Sequence, residues 1–157
     1  GWPVHLPERS LGVDCMKYTM RYADVGTFHD ILITEVKGYL LEALKGSDEY
    51  LWVDIINSLL LGESMLFTID DGSSFVGATV VTHEIHPRKK YLAVHLLGGV
   101  QMKEWVDVVR KELKGLAKGL GYDGLSLMGR KGWTKIFPDL KNERVVLIDP
   151  IGEEDGR

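Results

Sequence analysis

Apolar and polar residues alternate over residues 16–23 and predict a half-buried strand at the start of the domain. Apolar residues then recur at helical spacing over residues 25–44, after Asp24 in a position suited to a helix N-cap. A second amphipathic helix is predicted over residues 48–61, because its large apolar residues share one face and Gly62 follows them. The chain therefore begins with one strand and two helices.

A period of two returns in the middle of the chain and predicts a β-hairpin. Residues 65–69 and 75–85 are rich in β-branched and aromatic residues, and the segment 70–74 between them contains an Asp-Gly step, a strong turn signal. Residues 91–97 are almost continuously apolar, which is typical of a central strand buried on both faces. We expect this strand to stop at the glycine pair 98–99.

The longest predicted helix covers residues 101–120 and serves as a crossover between strands. Its apolar residues fall on one stripe, whereas its charged residues lie elsewhere. The pattern then predicts a strand at 122–128, a loop at 129–132, a short helix at 133–140 and a last strand at 144–148. This order indicates a mixed α/β (α+β) fold with a central sheet flanked by helices.

The domain organisation follows from length and from composition shifts. A chain of 157 residues suits one domain with its own core, which we assign to residues 16–149. We expect residues 1–15 to be an extended arm and residues 150–157 to be an acidic tail. Trp2 is a candidate anchor that attaches the arm to this domain, to a second copy or to another protein.

Charge and cysteine content limit the classes of partner. A formal net charge of -4 disfavours a protein that binds nucleic acid through a broad basic face. No apolar run approaches the length of a membrane span, and Cys15 is the only cysteine, as a reducing compartment allows. We therefore expect a cytoplasmic protein that binds neither membranes nor nucleic acid.

The order of elements, with a central strand that reaches two glycines before a long helix, resembles the GNAT superfamily of N-acetyltransferases over residues 16–149. Segments 91–99, 119–123 and 129–133 look like a GNAT-like group found in tailed bacteriophages and prophages. The resemblance implies an acyl-CoA N-acyltransferase fold. It also implies acetyl-CoA as the cofactor, with no metal.

In that superfamily, the loop after the central strand holds the pyrophosphate on backbone amides at a helix N-terminus. Here the glycines come earlier than in the usual motif, and we expect Gly98, Gly99 and the free amides of Val100 and Gln101 to form the anion site. A plain strand-to-helix turn explains the two glycines equally well. The resemblance assigns the cofactor to the following residues: Leu96, Leu97, Gly98, Gly99, Val100, Gln101 and Lys103.

The superfamily also has a tyrosine on the short helix after the penultimate strand, where it protonates the departing thiolate. Residues 133–137 of this chain contain no tyrosine. The general acid is therefore absent, or water or Thr134 replaces it.

Three polar residues are candidates for the base that deprotonates an acceptor amine, namely Glu84, His86 and His95. His95 interrupts the most apolar strand, where a hydrogen-bonded core histidine is the alternative interpretation. His83 and His86 flank Glu84, but strand alternation separates the two rings, so we predict no metal site. Glu84 and His95 are the catalytic candidates that we retain.

Two functions of different class fit these patterns. The first is an acetyl-CoA-dependent N-acetyltransferase of phage type, in which catalysis is weak or degenerate. The second is a non-catalytic virion or assembly protein that uses the fold, the Trp2 arm and the tail to bind other virion proteins or its own copy. Either protein would reside in the bacterial host cytoplasm, and the second also in the virion.

Overall fold

The computed structural model describes residues 9–10, 18–45, 47, 49–127 and 149, with residues 9–10 described as backbone alone. Within this part of the chain, no helix is long and apolar enough to cross a membrane. Several predicted features lie outside the described residues: most of the arm, the loop 129–132, the helix 133–140, the strand 144–148 and the tail 150–157.

In the part of the chain that the structure describes, six strands form one mixed sheet and follow one another in chain order. All neighbouring strands pair antiparallel except the last two. These pair in parallel, and the longest described helix connects them. The strands are β1 (Arg9–Ser10), β2 (Thr19–Ala23), β3 (Ser64–Asp70), β4 (Phe75–Ile85), β5 (Lys90–Gly99) and β6 (Gly124–Leu127). The predicted central strand is β5, which lies between β4 and β6.

Four α-helices among the described residues cover the two faces of the sheet. They are α1 (Phe28–Leu32), α2 (Glu35–Leu44), α3 (Trp52–Leu60) and α4 (Met102–Gly119). One core cluster joins α4 to the sheet and includes Trp105, which is fully buried. A second cluster joins α1, α2 and α3 to the opposite face. We call these the α4 face and the α2 face. The predicted α/β fold, with helices on both sides of a mixed sheet, is confirmed.

The helix predicted over residues 25–44 is divided in the structure. A 3₁₀ turn, Val25–Thr27, precedes α1, and Thr34 separates α1 from α2. The Thr34 hydroxyl accepts a hydrogen bond from the Val36 amide and donates one to the Ile31 carbonyl. Thr34 is therefore a local N-cap, which helical periodicity does not reveal. Asp24 precedes the 3₁₀ turn but makes no side-chain cap.

The helix predicted over residues 48–61 begins later, at Trp52. The Asp54 carboxylate accepts a hydrogen bond from the Leu51 amide at 2.7 Å and so fixes the first turn. Only one edge of the predicted apolar face is fully buried, at Ile55 and Leu59. Trp52, which begins this helix, is half-buried.

One extra residue interrupts the pairing of β4 with β5. Val80 pairs with Leu96 and Val81 pairs with Val94, so His95 has no partner in β4 and forms a β-bulge. The bulge shifts the alternation of the side chains that follow it. Val94, before the bulge, packs on the α4 face, whereas Leu96 packs on the α2 face and Leu97 on the α4 face. An uninterrupted strand would place residues 94 and 96 on the same face.

β5 continues through the two glycines at which it was predicted to stop, because Gly98 pairs with Ala78 and Gly99 pairs with Gly77. A Cβ at Gly98 would lie 2.4 Å from the Tyr39 carbonyl oxygen. Helix α2 therefore approaches the sheet so closely that only glycine fits at this position.

Replacing Gly98 with alanine should lower the free energy of unfolding by about 1–3 kcal/mol, because the new methyl group collides with the backbone of α2. Gly115→Ala is the matched control, since a Cβ there meets nothing within 4 Å and alanine favours the helix by up to about 1 kcal/mol. Urea unfolding of both variants measures the difference. Equal midpoints for Gly98→Ala and the parent would contradict the close packing.

Candidate functional site

The bulge residue His95 lies on the α2 face of β5, where its ring packs against Tyr50 from the segment between α2 and α3. The ring centroids are 4.3 Å apart, with an angle of 67° between the planes. Burial lowers the pKa of His95 below its usual value. The lowered pKa favours the uncharged imidazole at neutral pH, and none of the described residues hydrogen-bonds it.

Leu96 and Leu97 follow the bulge, and their side chains are buried on opposite faces of the sheet. The Thr79 hydroxyl donates a hydrogen bond to the Leu96 carbonyl at 2.7 Å, inside the core. The two leucines can therefore offer a ligand only their backbone.

The turn between β5 and α4 is held against β4. The Val100 amide donates a hydrogen bond to the Val76 carbonyl at 2.8 Å, so the expectation of a free amide at Val100 is wrong. Gly99 has a φ of 155°, and a Cβ there would lie 2.2 Å from the same carbonyl oxygen. The Trp105 Nε1 donates to the Val100 carbonyl at 2.9 Å and ties the turn to the core. Close packing therefore accounts for Gly99.

The N-terminus of α4 provides the remaining anion-binding groups. Gln101 has left-handed backbone angles, φ 56° and ψ 33°, and its side chain makes no cap. The amides of Met102 and Lys103 belong to the first turn, where the helix itself supplies no acceptor. The Lys103 side chain is exposed beside them. These groups and the positive end of the helix dipole favour an anion.

Glu104 opposes this preference. It lies in the first turn of α4, and its carboxylate accepts a hydrogen bond from the buried Tyr18 hydroxyl at 2.9 Å. The carboxylate stabilises the positive end of the helix and adds a negative charge near any bound phosphate. The turn therefore presents a mixed rather than a purely cationic surface.

Ser126 and His86 both contact the carboxylate of Glu84, near the end of β4. Its Oε1 accepts a hydrogen bond from the Ser126 hydroxyl at 2.9 Å, and its Oε2 is 2.7 Å from His86 Nε2. Glu84 of β4 pairs with Tyr91 of β5, and Tyr91 precedes His95 by four residues. The two candidate bases are therefore about 13 Å apart along the strand direction. They are alternative bases, because they cannot act on one proton together.

The remaining histidine of this segment has a different environment. His83 Nδ1 contacts the Tyr122 hydroxyl on the α4 face, and burial lowers the pKa of His83. His83 and His86 thus have separate partners. Among the residues that the structure describes, no three His, Cys, Asp or Glu side chains form a group able to hold a metal ion.

Sequence patterns did not identify two residues of this region. Tyr50 lies in an irregular segment with no periodicity, so nothing in the sequence connects it to His95. Ser126 lies between Leu125 and Leu127, which pack on the α4 face. Alternation therefore assigns Ser126 to the α2 face, but it does not connect Ser126 with Glu84.

No family profile matches the sequence. No curated protein matches it either. Solved structures do resemble the chain. A transcriptional regulator from Bacillus halodurans C-125 has a TM-score of 0.62 and 13% identity, covering 85% of this chain and 99% of the other. A predicted acetyltransferase with acetyl-CoA from Clostridium acetobutylicum has a TM-score of 0.59 and 11% identity, covering 84% and 96%.

A GNAT family acetyltransferase from Staphylococcus aureus has a TM-score of 0.53 and 10% identity, covering 86% of this chain and 96% of the other. At such low identity the similarity is in backbone arrangement. The chain therefore has the fold of the GNAT acetyltransferases.

The contact between Tyr50 and His95 predicts a measurable pKa difference. Burial holds the pKa of His95 below the ordinary value of about 6.5. We expect Tyr50→Ala to raise this pKa towards the ordinary value, whereas Tyr50→Phe keeps the ring and leaves the pKa lowered. NMR titration of the imidazole resonances measures both.

The same shift affects stability. The unfolded chain binds a proton more readily than folded His95, so this contribution is fully present above about pH 6.5 and is lost as the pH falls towards the folded-state pKa. His95→Gln should make the free energy of unfolding less dependent on pH in that interval. An unchanged dependence in the variant would show that His95 is not buried as described.

Proposed function

We propose that the protein is an acetyl-CoA-dependent N-acetyltransferase. The observation that carries the proposal is the bulge at His95 in an interior strand, which is followed six residues later by the capping residue of α4. Within the described residues, β5 and β6 pair from Tyr91 to Val94 and no further. Among the described residues, no strand pairs with the β5 backbone after Val94 on the β6 side, and this is where the proposal places the ligand.

Acetyl-CoA is the substrate that this arrangement suits. The β5 backbone from His95 to Gly99 would receive the thioester and its pantetheine arm, and the amides of Met102 and Lys103 with the Lys103 ammonium would receive the phosphates. The resident groups fit in part, because the Val100 amide is already used and Glu104 is acidic.

The chemistry requires an uncharged amine. The amine nitrogen attacks the thioester carbonyl carbon, the carbon–sulfur bond breaks, and the sulfur leaves with the electron pair. His95 takes the proton from the amine, because its lowered pKa keeps the imidazole neutral near pH 7. Water or Thr134, which lies outside the described residues, supplies a proton to the thiolate.

Glu84 is the alternative base. The contacts with Ser126 and His86 orient its carboxylate but also occupy both oxygens. His95 is nearer to the end of the β5–β6 pairing, and Glu84 is nearer to the start of β5. We therefore assign the base to His95.

A second candidate is a non-catalytic protein, such as a phage virion or assembly protein, that keeps the fold for protein contacts. Two observations favour it. The Val100 amide donates to the Val76 carbonyl instead of facing a ligand, and Glu104 places a carboxylate in the first turn of α4. Both would weaken phosphate binding.

Calorimetric titration with acetyl-CoA separates the two candidates. We expect micromolar affinity, a Kd raised about tenfold or more by Lys103→Glu, which repels phosphate, and little change in the control Lys111→Glu. Both lysines are exposed on α4, so the variants alter net charge equally without disturbing the core. A substitution of Gly99 would not test phosphate binding, because any side chain there collides with the Val76 carbonyl and disturbs the turn itself.

No heat of binding at millimolar acetyl-CoA would contradict the acetyltransferase and leave the non-catalytic protein. Equal losses in Lys103→Glu and Lys111→Glu would show that the N-terminus of α4 is not the phosphate site.

Replacing the proposed base should reduce turnover. We expect His95→Gln to lower kcat about 100-fold or more, because an amide cannot accept the proton. In the parent protein, kcat/KM should fall as the pH drops and His95 becomes protonated. Release of free thiol from acetyl-CoA, measured against a panel of amines, reports both. If Glu84→Gln lost activity and His95→Gln kept it, the assignment of the base would be wrong.

A further inference from the structure

An apolar hollow lies between the α1 region and α3, on the outer side of the α2 face. It has a volume of about 200 Å³, and its apolar lining consists of Phe28, Leu32, Ile33, Trp52, Ile56 and Leu60. Trp52, Ile56 and Leu60 recur at every fourth residue of α3, so the hollow follows this helix for about 12 Å. Ile33 is 72% exposed and Leu60 is 57% exposed. Large apolar side chains that adjoin one another on a surface commonly mark a binding site.

A second hollow adjoins the first where α3 ends. It has a volume of about 210 Å³, and Phe28 and Leu60 line it as well as the first hollow. Further along, it is lined by Asp24 and by Val25, which is 59% exposed. We call the two hollows together the α3 groove. Leu60 lies near its middle, because it belongs to both hollows.

The two ends of the α3 groove carry opposite charges. Lys37 and His29 line only the first hollow, where the Lys37 Nζ lies 5.8 Å from the ring of Trp52. Asp24 lines only the second hollow. Among the residues that the structure describes, neither Lys37 nor Asp24 forms an ion pair. Both side chains are exposed, so a molecule bound along the groove would meet a cation at one end and a carboxylate at the other.

A second copy of the chain matches this order of charges. A twofold axis near Leu60 turns the groove of the partner end for end. Lys37 then faces the partner's Asp24, and Asp24 faces the partner's Lys37. The same rotation brings Ile33 to the partner's Val25, so apolar side chains meet between the two charged ends. Each contact occurs twice, as a twofold interface requires.

We propose that the protein forms a twofold dimer in which the α3 grooves of two copies pack against each other in opposite directions. The exposed apolar side chains of both copies become buried, which provides the driving force for association. The two ion pairs at the ends of the groove fix the orientation, because a parallel arrangement would bring like charges together.

Charge reversal tests the orientation of the dimer. In Asp24→Lys both ends of the groove are basic, and in Lys37→Glu both ends carry a carboxylate, so each homodimer would have like charges in contact. We expect the parent to form a dimer and each variant to raise the dimer dissociation constant about tenfold or more. An equimolar mixture of the two variants should form a dimer again, because every end-to-end contact in the mixed dimer joins opposite charges.

Sedimentation equilibrium at chain concentrations from about 1 μM to about 1 mM measures these dissociation constants. A parent protein that stays monomeric over this range would overturn the proposal. A dimer that both variants retain unchanged would also overturn it, since the interface would then lie elsewhere. The same conclusion would follow if the mixture associated no more tightly than either variant alone.

The matched control lies on α4, across the sheet from the groove. Asp107 and Lys111 are exposed there and line neither hollow. Asp107→Lys and Lys111→Glu make the same changes of net charge as the two groove variants, and we expect them to leave the dissociation constant unchanged. Losses equal to those of the groove variants would show that net charge, rather than the α3 groove, controls association.

The apolar part of the interface has a separate test. Leu60→Asp should prevent association, because a carboxylate near the axis would be buried beside its copy. Val53→Asp should not, since Val53 is 55% exposed on the same helix but lines neither hollow. Equal effects of the two variants would contradict the proposed interface. These measurements require no acetyl-CoA, so their outcome is independent of the proposed acetyltransferase activity.

Discussion

The inserted residue at His95 is the constraint from which the candidate site follows. Without it, β5 would keep a single alternation, and Leu96 would join Val94 on the α4 face. With it, Leu96 packs beneath α2 and Leu97 packs beneath α4. Both faces of the strand are therefore filled by leucine side chains after the bulge, so a ligand bound at residues 96 and 97 would contact backbone atoms. A substrate site here depends on main-chain geometry more than on side-chain identity.

Glycine packing extends that constraint to the turn. Gly98 lets α2 approach the sheet, and Gly99 lets the chain pass the Val76 carbonyl. The glycines that resemble part of a phosphate loop are thus required by close packing, whatever the ligand. The anion preference of the turn depends instead on the first amides of α4 and on the balance of Lys103 against Glu104.

The order of elements could be predicted from the sequence because β5 and α4 have strong and different periodicities. Periodicity also suggested the faces of α4, including the burial of Trp105. It could not reveal the cap at Thr34, the extra residue at His95 or the hydrogen bond of the Val100 amide. Each of these depends on pairing between distant segments. Glu84 and His95 were identified as polar residues in strands, but their separation depends on the register of β4 and β5.

Structures with 10–13% identity share this backbone, including one titled as a transcriptional regulator, so the fold alone does not decide between catalysis and binding. Mapping of backbone amide shifts on addition of acetyl-CoA is the most direct test of the central claim. The account predicts that the largest changes occur after the bulge, at residues 95–97 and 101–103. Changes confined to other parts of the chain, or none at saturating ligand, would contradict it.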